Sequence, residues 1–348
     1  MRCTRLPVCF SALLLASLSV FGQQSSECLQ RTVTVGIVDD HGTVPHDLIS
    51  RNFTLTYGRK SVSLPTAVYS EGPRRVMVLL DVSGSMRGPE AKQHSKWEIA
   101  RAAARSLFSS LPTGSAAGLL TFTDKIKTRA PLSIDRRLAE EWLDNDTAHQ
   151  VPTLKGRTAM YDAIEDALKQ LEPTEPGDAI YIITDAGENA SAIRRSRVEN
   201  SLAAAGIRLF AFLLASPEPM PFETDGASEL QLLAINSGGF VQIASPKDVR
   251  RGQPLTQGVP AIDFRAQYSN DSGFAYDEPT REQIRLHTNL LNLWISSFYL
   301  LTFQTQEAAA KPKHLDITVV DSQGHSRKDL TLAYSHIPPD CAIVPTHH

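Results

Sequence analysis

Two aspartates and three hydroxyl-bearing residues carry the clearest chemical signal in the chain. Asp81 and Asp185 each end a run of mostly apolar residues, as expected at the end of a buried strand. Ser83 and Ser85 follow the first aspartate closely, and Thr158 lies beside turn-forming residues at the start of a helical pattern. Oxygen atoms are the ligands that hard divalent cations such as Mg²⁺ prefer. These five side chains would form a metal site if the fold brought them together.

Strand and helix patterns alternate between residues 74 and 245, and they predict where the five side chains lie. The predicted elements are strands at 75–81, 116–124, 126–132, 178–189, 207–214 and 240–244, and helices at 89–111, 158–171, 191–206 and 228–239. Near-continuous apolar strands in this order indicate a doubly wound, mostly parallel, Rossmann-like α/β sheet that is covered on both faces. Ligands bind outside the carboxyl ends of such strands. Asp81 and Asp185 should therefore project at the same edge.

The two ends of the chain favour strands that have no partners nearby in sequence. Residues 32–38 and 53–64 are rich in β-branched and aromatic residues, and strand-like runs recur after residue 297. Because so few strands cannot bury a core alone, we expect the N-terminal and C-terminal strands to pack together as a small β unit. The predicted organisation is a signal peptide at 1–22, N-terminal strands at 23–73, the α/β domain at 74–245, a linker or surface excursion at 246–280, and a helix with C-terminal strands at 281–348.

The first residues predict export. Two arginines precede an apolar stretch at 8–21, and small residues follow around Gly22, which is typical of a secretory signal peptide. The apolar stretch is shorter than the roughly 20 residues that span a bilayer, so no transmembrane segment is predicted in the mature protein, which would be periplasmic or secreted. Outside this segment the cysteines are Cys28 and Cys341. One cysteine near each end of an exported chain predicts a disulfide, with two free thiols as the alternative.

The net charge and the positions of the histidines and cysteines argue against two other classes, a nucleic-acid-binding protein and a zinc protein. The formal net charge is −3 and no Lys/Arg-rich run occurs, so a nucleic-acid partner is not expected. The ten histidines show no ligand spacing, and neither cysteine nor histidine accompanies the five oxygen donors. This pattern argues against a zinc site.

The motifs resemble the metal-ion-dependent adhesion site of von Willebrand factor A domains. The resemblance rests on D-x-S-x-S from Asp81 to Ser85, on Thr158 in GRTAMYDA and on Asp185 in IITDAGEN, and it covers roughly residues 74–245. It implies that the hydroxyls of Ser83, Ser85 and Thr158 coordinate Mg²⁺, or Mn²⁺ or Ca²⁺ instead, while the two aspartates act largely through bound water and hydrogen bonds. It also implies that a partner protein supplies an exposed Asp or Glu.

One residue departs from the family pattern, and the flanking sequences add a second likeness. Ala186 follows Asp185 where the family usually has glycine, and a glycine comes only at the next position. The flanking segments look like those of exported bacterial proteins related to von Willebrand factor A, many of them acidobacterial.

Three functions remain open. The first is a non-enzymatic, adhesion-type module that binds a partner protein through its metal. The second is a Mg²⁺-dependent hydrolase or phosphatase with Asp81 as nucleophile. Against the second, Ser83 stands where a second acid is usual, and no lysine is clearly placed to complete a phosphate clamp, with Lys155 near the proposed loop as the open candidate. The third is a structural envelope protein with a vestigial metal site.

Overall fold

A computed structural model describes residues 30–86, 96–144, 154–215, 221–246, 264–266, 268–269, 273–274, 278–305 and 313–339. The predicted signal peptide and both cysteines of the predicted disulfide, Cys28 and Cys341, lie outside these ranges. Among the described helices, none combines the length and the apolar character that crossing a lipid bilayer requires.

The described elements alternate as the sequence predicts. The strands are β1 (Gln30–Asp39), β2 (Phe53–Tyr57), β3 (Lys60–Glu71), β4 (Arg75–Asp81), β5 (Ala116–Phe122), β6 (Ile126–Ser133), β7 (Ala179–Thr184), β8 (Arg208–Leu214), β9 (Val241–Pro246), β10 (Phe264–Ala266), β11 (Tyr268–Ser269), β12 (Gly273–Phe274), β13 (Ser297–Gln304), β14 (Leu315–Val319) and β15 (Leu330–Tyr334). The α-helices are α1 (Lys96–Ser110), α2 (Arg137–Asp144), α3 (Met160–Gln170), α4 (Arg195–Ala205), α5 (Pro221–Asn236) and α6 (Glu278–Ser296).

The larger sheet is the mostly parallel α/β sheet that the sequence predicts. Its strand order is β10-β9-β8-β7-β4-β5-β6. All neighbours pair in parallel except β5 and the edge strand β6, which pair antiparallel. The chain passes from β4 to β5 on one side and later places β7 on the other side of β4. The order therefore reverses at β4, and a crevice at such a reversal is where doubly wound sheets bind ligands.

Helices cover both faces of this sheet. Alternate residues of each strand point to opposite faces, so each strand contributes side chains to two separate cores. Val76, Val78 and Leu80 pack in one core cluster with residues of α1, α2 and α6. Met77 and Leu79 pack in another cluster with residues of α3, α4 and α5. Since both faces of β4 are buried, its strand has no solvent-facing side, which explains the uninterrupted apolar run in the sequence.

The first three strands and the last three form a second, entirely antiparallel sheet. Its order is β14-β2-β3-β13-β1-β15. A two-residue turn joins β2 to β3, with Gly58 and Arg59 at φ of 58° and 68°, the left-handed conformation that tight hairpins use. At the two edges, the Leu315 N–H donates to the His336 carbonyl at 2.8 Å. The segment after β15 therefore runs beside β14, and the sheet curls around a core of its own.

Helix α6 leads the chain from the larger sheet into the second sheet, and a buried arginine holds its C-terminal end. Arg208, at the start of β8, is 1% exposed. Its Nη1 and Nη2 donate to the carbonyls of Trp294 and Ile295 at 2.7 and 3.0 Å. The last carbonyls of a helix have no partners within the helix and carry partial negative charge. Arg208 thus neutralises the end of α6 at the point where the chain turns into β13, and its guanidinium also lies 4.8 Å from the Phe298 ring centroid.

Five elements differ from the predicted ones or were not predicted. Helix α2 was not predicted, because its eight residues are too few to show a clear helical period. Helix α5 begins at Pro221, earlier than the predicted start at 228. Strands β10 to β12 lie in the stretch read as a linker, where very short strands leave no periodic signal.

A buried histidine of α6 faces the larger sheet. His287 Nε2 shares a hydrogen bond of 2.9 Å with the Tyr181 hydroxyl, and its ring stacks on Phe212 with centroids 4.8 Å apart. Complete burial lowers the pKa of His287 to about 3, because the charged imidazolium would lose its hydration. The histidine is therefore neutral in the folded protein at ordinary pH.

This histidine should make the fold sensitive to acid. Below pH 6.5 the unfolded chain takes up a proton at His287 that the native state refuses until about pH 3. Relative to His287→Gln, the wild type should lose up to about 1.4 kcal/mol of stability per pH unit across this window. Urea unfolding between pH 7 and pH 4 measures the difference. The exposed His325→Gln variant is the control, and parallel profiles for the wild type and His287→Gln would refute this assignment.

Candidate functional site

Asp81 lies at the carboxyl end of β4, between β5 and β7. Its side chain is fully buried. The Ser83 N–H donates to Oδ1 at 2.8 Å and the Thr184 hydroxyl donates to Oδ2 at 2.5 Å. Burial raises the pKa of Asp81 above its usual value, and the nearby carboxylate of Asp185 raises it further. The aspartate is thus held firmly in a place that disfavours its charge.

Ser83 and Ser85 link the two aspartates. A short 3-10 helix, Gly84–Met86, follows the strand and carries the second serine. The Oγ atoms of Ser83 and Ser85 lie 3.1 Å apart, and the Ser85 hydroxyl donates to Asp185 Oδ1 at 3.1 Å. The structure therefore brings four of the five predicted residues into one hydrogen-bonded chain.

Thr158 lies against the loop that follows Asp185. Its side chain is buried, its N–H donates to Asn189 Oδ1 at 2.9 Å, and its carbonyl accepts from the N–H groups of Asn189 and Ala190 at 3.0 Å each. Its Oγ1 lies 3.7 Å from the position that a Cβ on Gly187 would take. The fifth predicted residue thus lies beside the second aspartate's loop, with its hydroxyl close to Gly187.

A lysine that the sequence analysis did not single out also reaches the site. Lys96, the first residue of α1, is 9% exposed. Its Nζ donates to Asp185 Oδ2 at 2.6 Å and lies 3.8 Å from Glu223 Oε1, in the first turn of α5. Lys155, the lysine named from sequence, is exposed. Neither Lys96 nor Glu223 belongs to a recognisable motif, so no sequence signal could have found them.

Carboxylates brace the backbone around the site. Glu188 accepts hydrogen bonds from the Met160 N–H at 2.7 Å and from the Ser191 N–H and hydroxyl at 2.9 and 2.8 Å. It thereby caps the start of α3, whose first N–H groups have no partners within the helix. Asp162 also accepts hydrogen bonds from the backbone of the neighbouring loop, including one from the Ile193 N–H at 3.1 Å. The loops carrying Thr158 and Asp185 are thus fixed to each other.

The residue after Asp185 adopts a conformation that glycine would reach more easily. Ala186 has φ of 64°, in the left-handed region, which costs a residue with a Cβ roughly 1–2 kcal/mol. Its N–H donates to the Thr184 hydroxyl at 2.9 Å, and its carbonyl oxygen lies only 1.8 Å from where a Cβ on Gly226 would lie. The close approach of α5 at Gly226 therefore holds this loop in place.

Gly226→Ala should break this arrangement. The added methyl group would collide with the Ala186 carbonyl, so α5 or the Asp185 loop must move. The expected cost is about 3 kcal/mol of stability, although alanine is the better helix former. Urea unfolding of this variant beside the exposed Asp225→Ala control tests it. An unchanged midpoint for Gly226→Ala would contradict the packing described.

No curated protein matches the chain. Among solved structures, a conserved hypothetical protein BatB from Bacteroides thetaiotaomicron is 23% identical, with 49% of this chain and 90% of that chain covered and a TM-score of 0.41. An aerotolerance-related membrane protein from Bacteroides fragilis is 19% identical (63% and 99% covered, TM-score 0.42). A von Willebrand factor type A protein from Catenulispora acidiphila is 12% identical (92% and 75% covered, TM-score 0.44).

One family model matches the segment that runs from β4 to just beyond Asp185. It is the von Willebrand factor type A domain model, and it covers residues 76–188. Asp81, the two serines, Thr158 and Asp185 all lie within this span. The chain therefore contains a von Willebrand factor type A domain.

Proposed function

We propose that the protein is an exported, non-enzymatic binding module that holds a divalent cation at the strand ends and recognises an acidic side chain of a partner protein. Asp81, Ser83, Ser85, Thr158 and Asp185 would hold Mg²⁺, or Mn²⁺ or Ca²⁺ instead. The observation that carries the proposal is the chain of hydrogen bonds between two buried carboxylates, from Asp81 through the Ser83 N–H and the two serine hydroxyls to Asp185. The von Willebrand factor type A domain supports an interaction role.

The donor set fits a hard cation. All five side chains offer oxygen, the atom that Mg²⁺ and Ca²⁺ prefer. Burial and the neighbouring Asp185 raise the pKa of Asp81, so holding both carboxylates charged costs free energy unless positive charge is near. When bound, a cation held largely by neutral hydroxyls keeps enough positive charge to accept a carboxylate oxygen from another protein. Ser83 and Ser85 supply oxygen without adding negative charge.

The surroundings of Asp81 support binding over hydrolysis. A nucleophile must reach a substrate, yet the Asp81 side chain is 0% exposed. Both of its oxygens already accept hydrogen bonds, from the Ser83 N–H and the Thr184 hydroxyl. Phosphatase turnover that is lost in Asp81→Asn would overturn the non-enzymatic proposal. A vestigial site in a structural envelope protein would bind no divalent cation.

Lys96 gives the site a positive charge of its own. Its ammonium contacts the Asp185 carboxylate at 2.6 Å, and the proposed ion would need the same carboxylate. Two cations beside one carboxylate repel each other, so we propose that Lys96 weakens metal binding and leaves Asp185 when the ion binds. Glu223, 3.8 Å away, can receive the displaced ammonium. The lysine would then satisfy Asp185 in the metal-free protein, and the ion would have to compete with it.

Metal affinity tests the site directly. Titrating Mg²⁺ and Mn²⁺ into the full chain by calorimetry should show a bound ion, and Ser83→Ala should weaken binding at least about tenfold because a direct oxygen ligand is lost. Ser133→Ala, outside the site, is the control. Equal affinities for the wild type and Ser83→Ala would refute this ligand assignment.

Partner binding tests the function. The full chain, used as bait on an envelope fraction with Mg²⁺, should retain a partner that EDTA releases and excess Mg²⁺ restores. Ser83→Ala bait should fail to retain that partner, because the ion that would meet the acidic side chain is held poorly. A partner that binds equally well in EDTA would show that recognition does not use the metal.

The role of Lys96 has a separate test. Lys96→Met should raise Mg²⁺ affinity about tenfold or more, since the competing charge is removed. Glu223→Gln should lower the affinity, because the displaced ammonium loses its second partner. The exposed Lys155→Met is the matched control for charge alone. Absence of Mg²⁺ binding in every variant would reject the site itself, whereas equal affinities for the wild type and Lys96→Met would reject only the competition.

A further inference from the structure

We propose that His314, Asp316 and His336 form a second metal site, on the outer surface of the antiparallel β unit and independent of the oxygen site. Each residue offers one ligand atom, and these three atoms lie within 4.8 Å of one another. His314 Nε2 already lies 3.0 Å from Asp316 Oδ1. The site would take a borderline transition-metal ion, with Zn²⁺ as the reference case.

Strand alternation places the first two ligands together. Leu315 begins β14 and is fully buried in the core of the β unit. Residues on either side of it in an extended chain point the opposite way, and the side chains of His314 and Asp316 are each 60% exposed. Two potential ligands thus project from one short stretch of backbone toward solvent.

The third ligand comes from the other edge of the sheet. His336 follows β15 by two residues, and its carbonyl accepts the Leu315 N–H at 2.8 Å. Because β14 and β15 are the two edge strands of the sheet order, this contact closes the gap between them. The sequence analysis found no ligand spacing among the histidines because this pair meets only where the edges meet.

The His336 ring is oriented as a metal ligand needs. Its Nδ1 lies 3.2 Å from the Leu315 carbonyl oxygen. A hydrogen bond there puts the proton on Nδ1 and leaves the lone pair of Nε2 available, the arrangement that metal-binding histidines commonly have. The ring is parallel to that of His314, with centroids 4.9 Å apart and an interplanar angle of 10°, and Tyr334 packs against it edge-on at 4.8 Å.

The ligand chemistry separates this site from the oxygen site. Two imidazole nitrogens and one carboxylate oxygen suit Zn²⁺, Ni²⁺ or Cu²⁺ and are a poor match for Mg²⁺, which prefers oxygen. Three protein ligands leave further coordination positions for water. The ligand atoms, which lie up to 4.8 Å apart, must draw together to surround one ion, since Zn–N bonds are about 2.0–2.1 Å long. Exposed side chains at the ends of strands can make that adjustment.

A bound ion would act as a clasp across the seam of the β unit. It would join β14 to the segment that follows β15. Strand β14 pairs with β2, and β15 pairs with β1. Any ligand that binds only the folded state stabilises it, so the ion should raise the unfolding temperature. Without an ion, the His314–Asp316 contact is an exposed pair of the kind that contributes little.

Zinc titration of the full chain, with Mg²⁺ present throughout, tests the proposal. Calorimetry should show one Zn²⁺ whose affinity falls at least about tenfold in His336→Ala and in Asp316→Asn. It should be unchanged in His325→Ala, whose exposed side chain lies 3.4 Å from Asp321, and in a variant with His347 and His348 both replaced by alanine. Zn²⁺ should also slow amide exchange at Leu315 and Ile317 in the wild type and in these two controls, and not in His336→Ala or Asp316→Asn.

Two outcomes would overturn the proposal. One is wild-type affinity retained in His336→Ala, and the other is Zn²⁺ binding that disappears when only the terminal histidines are replaced. Circular dichroism of the metal-free variants checks that each is folded, and Asp316→Asn serves if His336→Ala is not. Because EDTA removes ions from both sites, partner-binding assays of the oxygen site gain a clean background in the His336→Ala variant.

Discussion

Two buried carboxylates at the ends of adjacent parallel strands are the constraint to which the rest of the site responds. Asp81 and Asp185 repel each other, and burial raises the pKa of Asp81 in addition. At the opposite ends of the same two strands the charges attract, since Arg75 Nε donates to Asp178 Oδ1 at 2.8 Å. The strand pairing is thus favoured electrostatically at one end and opposed at the other. At the opposed end, the Ser85 hydroxyl and the Lys96 ammonium both contact Asp185, and Glu188 caps the nearby start of α3.

The loops at this end are held by contacts that reach outward through the fold. The left-handed Ala186 lies directly under Gly226 of α5, and Glu188 fastens the same loop to the start of α3. On the other face of the sheet, α6 is held by Arg208 at its end and by His287 near its middle. The site loops are fixed by helices from one face, while a helix on the opposite face leads the chain into the β unit. The two sheets are thus connected through α6.

The two candidate metal sites differ in how their ligands are gathered. In the oxygen site, parallel strand ends bring the ligands to one edge of the sheet, and each ligand sits in a short motif. In the β unit, His314 and Asp316 come from one edge and His336 from the other. The first is deeply buried and suits a hard cation, and the second is exposed and nitrogen-rich. The contrast follows from donor chemistry and burial, so the two sites need not compete for the same ion.

Sequence by itself determined the α/β class and the succession of the buried strands along the chain, and it predicted the five oxygen donors. Both faces of the parallel strands are covered, so their apolar runs are unmistakable, and polar residues at their ends stand out. It left α2, the true start of α5 and the short strands β10 to β12 unpredicted, because short elements carry too few residues for a period. Only the tertiary structure decided that Lys96 lies between Asp185 and Glu223, that Ala186 takes a left-handed conformation, and that His336 meets His314. Those contacts join residues far apart in the chain, and what selects them is the packing of helices and sheet edges in space.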